Sequence, residues 1–435
     1  MATQGAVGAA GRERRRRYDT GVVSPFMPDP EKIAAVRQLL PATAAGIFLN
    51  AGSCGPMPSE TQRAMDDAAA QELAVGRAHP DQWAEALLRM EEARSAVAAT
   101  LVTDPSDIAL THSTTDGMNL VIASLPWAPG DRVVTSGHEH PGGLGPLWAL
   151  RDRLGVDIET VDVGDGGDPD AVVAGFERAL ERPARALVVS HVLWTTGAVM
   201  PVARLGALAR AAGAVSVIDG AQSAGAIPVL LDDLGVDAYA VPAQKWLLGP
   251  EGMGALWVRR GLADATTPIV SGYLACASAD TGQLHPGARR FEATGFHRPS
   301  VTGFARSLGW LSMYVGLPWA HARAGRLAAA AHDRLAAIPG VRMVTPRTAL
   351  GTLVTFRIDG WPAAAAVPEL GARAFAIIRD LPPIDAVRIS VGFWNTEAEL
   401  DRFAEAVELL ARHAHGSLPP RRTLAMLGGD DGALR

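Results

Sequence analysis

Short apolar runs alternate with helix-length stretches from Ile108 onward, and this rhythm constrains the fold more than any other feature of the chain. DIALTH is followed by a helical segment at Asp116–Ile122 and DRVVTSG by one at Pro146–Leu154. ALVVSHV leads to Val202–Ala212, and AVSVID leads to Leu231–Leu234, ahead of a further short strand ending near Val241. A βαβα rhythm implies an α/β fold built on a mostly parallel sheet with helices on both faces. From about Pro299 the pattern changes. An Ala-rich helical stretch, Val301–Leu335, is expected to kink or break at Pro318. It leads into VRMVTP, TLVTFRI, AFAIIR and VRISVG and then a helix at Glu397–His413, which together read as a smaller α+β domain. Upstream, a helix at Pro30–Leu40 precedes a short strand, Ile47–Leu49, and the loop Asn50–Pro58. A long helical stretch from Glu60 to Leu101 is broken near Ala78–Asp81.

A chain of 435 residues suits two domains better than one core. The expected division is a disordered tail at 1–17, a segment at 18–46 packing with the small domain, a large cofactor domain at 47–298, a small domain at 299–415 and a loose tail at 416–435. The net charge of −6 argues against general nucleic-acid binding. The basic run Arg14–Arg17 sits in a Gly/Ala-rich stretch without apolar periodicity and reads as tail. No apolar segment approaches a membrane span, and the start lacks the apolar stretch of a signal peptide. Cys54 and Cys276 by themselves make neither a disulfide framework nor a zinc site. The expected compartment is the cytoplasm.

In an open parallel sheet, ligands bind beyond the carboxyl ends of the strands. After DIALTH come Ser113, Thr114 and Thr115 at a helix start, which serve either as a phosphate site or as an ordinary N-cap. After DRVVTSG come His138, Glu139 and His140. An imidazole there suits ring stacking or proton transfer, and the H-x-H spacing lacks the further ligands of a metal centre, so no metal is expected. His191 follows ALVVS, and Asp219 ends AVSVID, with Gln222 one turn on. Lys245 stands in a Pro/Gly-rich turn after the next strand. An aspartate on one strand end and a lysine on the next are what a pyridinium cofactor needs. The carboxylate keeps the ring nitrogen protonated, and the amine forms a Schiff base with the aldehyde. The coincidence of all five features on successive strand ends points to pyridoxal 5'-phosphate.

These residues and their order resemble the class V aminotransferase family of fold-type I pyridoxal phosphate enzymes, which includes cysteine desulfurases, isopenicillin N epimerase-like proteins and cysteine/cystine C–S lyases. The resemblance runs from about Phe48 to Glu405. It rests on Asp219-Gly220-Ala221-Gln222, on Gln244-Lys245 with Gly249-Pro250-Glu251-Gly252, and on Arg388-Ile389-Ser390 followed by Asn395-Thr396. It implies a large domain with a seven-stranded type of sheet. It also implies that Thr114 and Thr115 bind phosphate, that His140 stacks on the ring, that Asp219 pairs with its nitrogen and that Gln222 contacts its phenolic oxygen. Lys245 would form the Schiff base and Arg388 would bind the substrate α-carboxylate, for which a planar bidentate donor is suited. Phe291–Gly295, with Thr294, resembles the segment that reaches the neighbouring subunit's phosphate, which implies a homodimer with shared sites.

Three departures sharpen the expectation. Gln244 stands where the family usually has His. Leu193-Trp194-Thr195-Thr196-Gly197 replaces a motif that often carries asparagine, putting Trp194 at or near the site. Cysteine desulfurases also carry a nucleophilic Cys shortly before the arginine that corresponds to Arg388, and this chain has no cysteine from Val341 to Val391. A persulfide-forming enzyme needs that thiolate. Without it, β-elimination is the simplest fate of a cysteine-like substrate, started by removal of the Cα proton by Lys245. The loop Phe48–Pro56, with Asn50 as a substrate contact, and the HVLWTTG segment look most like the C–S lyase and epimerase side of the family. The expected activity is a C–S lyase acting on cysteine, cystine or an S-substituted cysteine. Epimerisation, desulfuration and transamination are the alternatives, and a non-catalytic cofactor-binding protein is the least favoured.

Overall fold

The apolar runs of the central region become strands because a sheet covered on both sides buries both of their faces, as at Arg132–Ser136, Ala186–Ser190, Ala238–Pro242 and Gly254–Val258. The computed structural model describes residues 29–278 and 280–419, so Arg14–Arg17, the tail at 1–17 and all but 416–419 of the C-terminal tail lie outside the described residues. Helix α1 (Asp29–Gln38) and the short strand β1 (Ile47–Phe48) precede two long helices, α2 (Ser59–Val75) and α3 (Pro80–Leu101). The break between them is a start signal: His79 caps the Asp81 N–H and Pro80 opens α3.

The central region runs β2 (Ile108–Thr111), α4 (Thr114–Ala123), β3 (Arg132–Ser136), α5 (Pro141–Leu154), β4 (Asp157–Val161) and α6 (Pro169–Leu180). It continues with β5 (Ala186–Ser190), α7 (Val202–Ala211), β6 (Val215–Asp219), β7 (Ala238–Pro242) and β8 (Gly254–Val258). These strands form one seven-stranded sheet in the order β2-β8-β7-β6-β5-β3-β4. Only β8 runs antiparallel to its neighbours. Successive residues of one strand enter different cores. Val134, Leu187 and Ile218 pack with Phe176 and Phe304, whereas Val133, Val188 and Val217 pack with Met118 and Leu147. That is the signature of a sheet covered on both faces. The rhythm read from sequence omitted β4, α6 and β8. β4 is an edge strand with mostly half-exposed or exposed residues, so its apolar signal is weak.

A small antiparallel hairpin, β9 (Cys276–Ser278) with β10 (Gln283–Leu284), precedes α8 (Arg298–Gly309), which packs on α2 and α3. One π-helical segment, Trp310–Val315, separates α8 from α9 (Leu317–Ala336). The chain therefore breaks at Gly316, whose φ of 81° favours glycine, and not at Pro318, which sits in the first turn of α9 where its missing N–H costs nothing.

The remaining elements are β11 (Val341–Met343), β12 (Leu353–Ile358), α10 (Ala363–Ala374), β13 (Ala376–Ile377), β14 (Arg379–Leu381), β15 (Ala386–Ser390) and α11 (Glu397–Ala411). A four-stranded antiparallel sheet has the order β11-β12-β15-β14. The run AFAIIR is split: β13 leaves this sheet and pairs in parallel with β1. Leu327 and Leu335 of α9, Leu370 of α10 and Phe403 of α11 cover the sheet beside Phe356 and Ile389. α11 begins with a full capping box between Thr396 and Glu399. An aromatic cluster with Trp246, Trp310, Trp319, Phe393 and Trp394 joins the second sheet to the turn after β7. A bridge between Asn50 and Ser390 brings the end of β15 to the carboxyl edge of the large sheet.

Candidate active site

Parallel strands end on the same edge, so their last residues and the loops that follow share one cleft. A cavity of about 280 Å³ opens there. Ser113, Thr114 and Thr115 line one part of its wall, and His140, Asp219, Gln222, Gln244 and Lys245 line the next. Trp194, Arg379 and Arg388 complete it, with Gly52 and Ser53 from the loop after β1. Two residues expected at the site do not line it. Asn50 instead accepts a hydrogen bond from the Ser53 hydroxyl at 2.9 Å and so shapes the loop. Thr294 lies on a segment tied elsewhere: Glu292 pairs with buried Arg94 and accepts from the Leu110 N–H at 2.7 Å.

Each wall residue is held by a local device. Ser113 caps α4, accepting from the Asp116 N–H at 3.0 Å, so the first N–H groups of that helix face the cavity's Thr114–Thr115 end. His140 caps α5 in the same way: its Nδ1 accepts from the Gly142 N–H at 3.0 Å, which leaves the proton on Nε2. Its ring meets Trp194 edge-on, with centroids 5.2 Å apart. Burial, followed by the charge of Lys245, lowers the His140 pKa, which favours the neutral ring. A Cβ at Gly142 would come within 2.4 Å of Thr115 Oγ1 and force that hydroxyl to shift. Asp219 is buried and accepts from the Ala221 N–H at 2.8 Å. Gln222 donates to the Gly52 carbonyl at 2.8 Å and accepts from Trp246 Nε1 at 3.0 Å. Lys245 sits in a turn tightened by Leu248 in a left-handed conformation, φ 55°. Burial, reinforced by Arg388 and Arg379 and opposed by Asp219, lowers the Lys245 pKa from 10.5 to about 8.

Arg388 is the most demanding group. It is 1% exposed, and its Nη1 donates to the Trp194 carbonyl at 2.9 Å, while Nε and Nη2 have no partner. Burial and Arg379 push its pKa down to about 9. Arg379, which the sequence reading missed, lies directly across the β14–β15 ladder from Arg388. Like charges placed opposite on a sheet repel. Arg379 reaches the Ser53 hydroxyl at 3.3 Å, and no carboxylate forms an ion pair with either arginine among the described residues. Two adjacent unpaired guanidinium groups make an anion site. Neither cysteine lines the cavity. The Cys54 thiol lies 3.1 Å from Glu251 Oε1, and burial together with that carboxylate raises its pKa to about 11.

A phosphorylated pyridine aldehyde fits this wall. The Thr114 hydroxyl is buried without a partner at the start of α4, the Asp219 carboxylate and the Lys245 amine line the same cavity, and so do the unpaired guanidinium nitrogens of Arg388. Comparison with known proteins agrees. The family profile described as Aminotransferase class-V matches residues 47–403. A probable cysteine desulfurase of Methanothermobacter thermautotrophicus is 26% identical over 86% of this chain and 97% of its own. The isopenicillin N epimerase of Streptomyces clavuligerus is 30% identical over 86% of this chain and 96% of its own. Among solved structures, the cystine C–S lyase C-DES with cysteine persulfide has a TM-score of 0.80 at 22% identity, covering 87% of this chain and 100% of its own. A mutant of C-DES carries glycine covalently linked to its pyridoxal phosphate, with a TM-score of 0.81 at 23% identity, covering 86% of this chain and 98% of its own. The chain belongs to the class V aminotransferase family and is a fold-type I enzyme dependent on pyridoxal phosphate.

Proposed function

We propose that the protein is a C–S lyase that removes the sulfur substituent of cystine or a related S-substituted cysteine by β-elimination. The observation that carries this reading is the pair Arg379 and Arg388 on a wall that holds no thiol. A substrate with two carboxylates, such as cystine, gives each guanidinium an anionic partner. The absence of a cysteine on the wall removes the nucleophile that a persulfide-forming enzyme requires.

When bound, the cofactor supplies an aldehyde that condenses with an amine and a ring that accepts the electron pair left at Cα. Asp219 would keep the ring nitrogen protonated, Thr114, Thr115 and the amide of Gln244 would hold the phosphate, and Gln222 would serve the phenolic oxygen. His140 would cover the ring face. Arg388 clamps the α-carboxylate, and Trp194, whose carbonyl holds Arg388, walls the substrate side. Lys245, whose amine the pocket favours in neutral form, would take the Cα proton. The Cβ–S bond then breaks. The sulfur leaves as a thiol or persulfide, and water converts the three-carbon remainder to pyruvate and ammonia.

The isopenicillin N epimerase relative supports a second reading, in which the Cα proton is exchanged without loss of sulfur. Supplying cystine in deuterated buffer separates the two. Pyruvate and ammonia in equal amounts are expected. Deuterium at Cα of recovered substrate without pyruvate favours epimerisation, and alanine with persulfide overturns the lyase reading. We further propose that the enzyme acts in the cytoplasm as a homodimer, with Thr294 serving the phosphate of the partner protomer. The position of Thr294 away from its own cavity supports this arrangement. Among the described residues, no helix is long and apolar enough to cross a membrane.

A further inference from the structure

Glu139 is a buried carboxyl that none of these roles uses. It lies in the turn after β3, between His138 and His140, and is 6% exposed. Its oxygens accept from the hydroxyl of Ser136, which ends β3, at 2.5 Å, and from that of Ser190, which ends β5, at 2.6 Å. Ser190 stands directly opposite Asp219 across the β5–β6 ladder. No cation pairs with Glu139 among the described residues, and the charged neighbour it feels is Asp219. A buried carboxylate with no cation is costly, so such a group stays neutral until a positive charge arrives. Burial, with Asp219 adding to it, raises the Glu139 pKa to about 7. Bracing two strand ends explains the hydrogen bonds, but an amide would brace the same two hydroxyls equally well, since each hydroxyl both donates and accepts. Only a carboxyl can change its charge there.

We propose that Glu139 is a positioning residue for the pyridine end of the cofactor, giving up its proton when a protonated ring lies against Asp219 and so matching the charge of the pocket to that of the ring. One O–H bond breaks, the carboxylate stays between Ser136 and Ser190, and the proton passes to solvent. The other titratable groups at these strand ends are His138 and His140 on the same turn, His191 after β5, Tyr239 on β7 and Lys245 beyond it. His138 is tied to Thr195 Oγ1 and the Gly164 carbonyl at 2.7 and 2.8 Å. Burial lowers His191 to about 4 and raises Tyr239. Lys245 changes charge near pH 8 and is common to wild type and variant.

The test is equilibrium dialysis of pyridoxal phosphate from the full-chain holoenzyme between pH 6 and 8, comparing wild type with Glu139→Gln. Because wild type releases a proton on binding, its affinity relative to the variant is expected to rise about tenfold across that range. A folded Glu139→Gln protein with the same pH dependence as wild type overturns the proposal and leaves Glu139 as a brace. If thermal unfolding shows that this variant does not fold, Ser190→Ala keeps the carboxyl and removes one donor, so the step is expected at higher pH; an unmoved step overturns the proposal. The experiment reads cofactor binding alone and is independent of the sulfur substrate.

Discussion

Lys245 shows how one residue reconciles stability with chemistry. Its folded pKa, about 8, lies below the value of 10.5 for an unperturbed lysine. The unfolded chain therefore binds more protons between those values, and the cofactor-free protein gains stability as pH rises from about 8 to 10.5, with the full penalty in place below. Lys245→Ala is expected to abolish turnover while stabilising the cofactor-free protein by up to about 3 kcal/mol, measured by denaturant unfolding at pH 7. In the active enzyme the same amine must be neutral to take a proton, so kcat is expected to rise with pH and level off above about 8; a flat profile from pH 6 to 9 contradicts Lys245 as the base. Arg379 supplies the specificity test. Arg379→Ala is expected to raise KM for cystine by about 10- to 100-fold, the value of one charge-assisted contact, and to change KM for cysteine by less than about threefold. Lys245 and Asp219 were legible because each follows an apolar run, and a strand end is a local property. Arg379 was not, because its partnership with Arg388 exists only once β14 and β15 pair in their observed register.

At the scale of elements, the site depends on helix starts. His140 both caps α5 and presents its ring, so two variants separate the functions. His140→Asn keeps a capping side chain and is expected to hold stability within a few tenths of a kcal/mol while losing the ring face, whereas His140→Ala loses about 1 kcal/mol as well. Thermal unfolding and the visible spectrum of the holoenzyme read the two effects independently. Helix and strand identities were readable wherever periodicity or continuous burial was strong. They failed at β4, whose residues are mostly half-exposed at a sheet edge, and at the α8–α9 junction. There proline drew the expectation to Pro318, but a proline in a first turn opens a helix, and Gly316 makes the break.

The whole molecule couples two sheets through one cleft. Gly52 lies where they meet, and a Cβ there would come within 2.9 Å of Arg388 Nη2 and 2.8 Å of Ser390 Oγ. The proposed dimer adds a second copy to this scheme, and complementation tests it. Lys245→Ala and Thr294→Ala proteins, each impaired alone, are expected to regain activity when unfolded and refolded together, because one mixed site combines an intact Lys245 with the partner's intact Thr294. No recovery in mixed dimers places Thr294 outside the partner's site.

By itself, the sequence determined the parallel sheet, the polar residues along its carboxyl edge and hence the cofactor, because strand direction and strand ends follow from local pattern and parallel strands must share an edge. Tertiary structure alone decided that Arg379 faces Arg388, that the Cys54 thiol is hydrogen-bonded to Glu251, and that Glu139 is joined to Ser190, which stands opposite Asp219. Those facts depend on register and loop closure between segments far apart in the chain, which local periodicity does not encode.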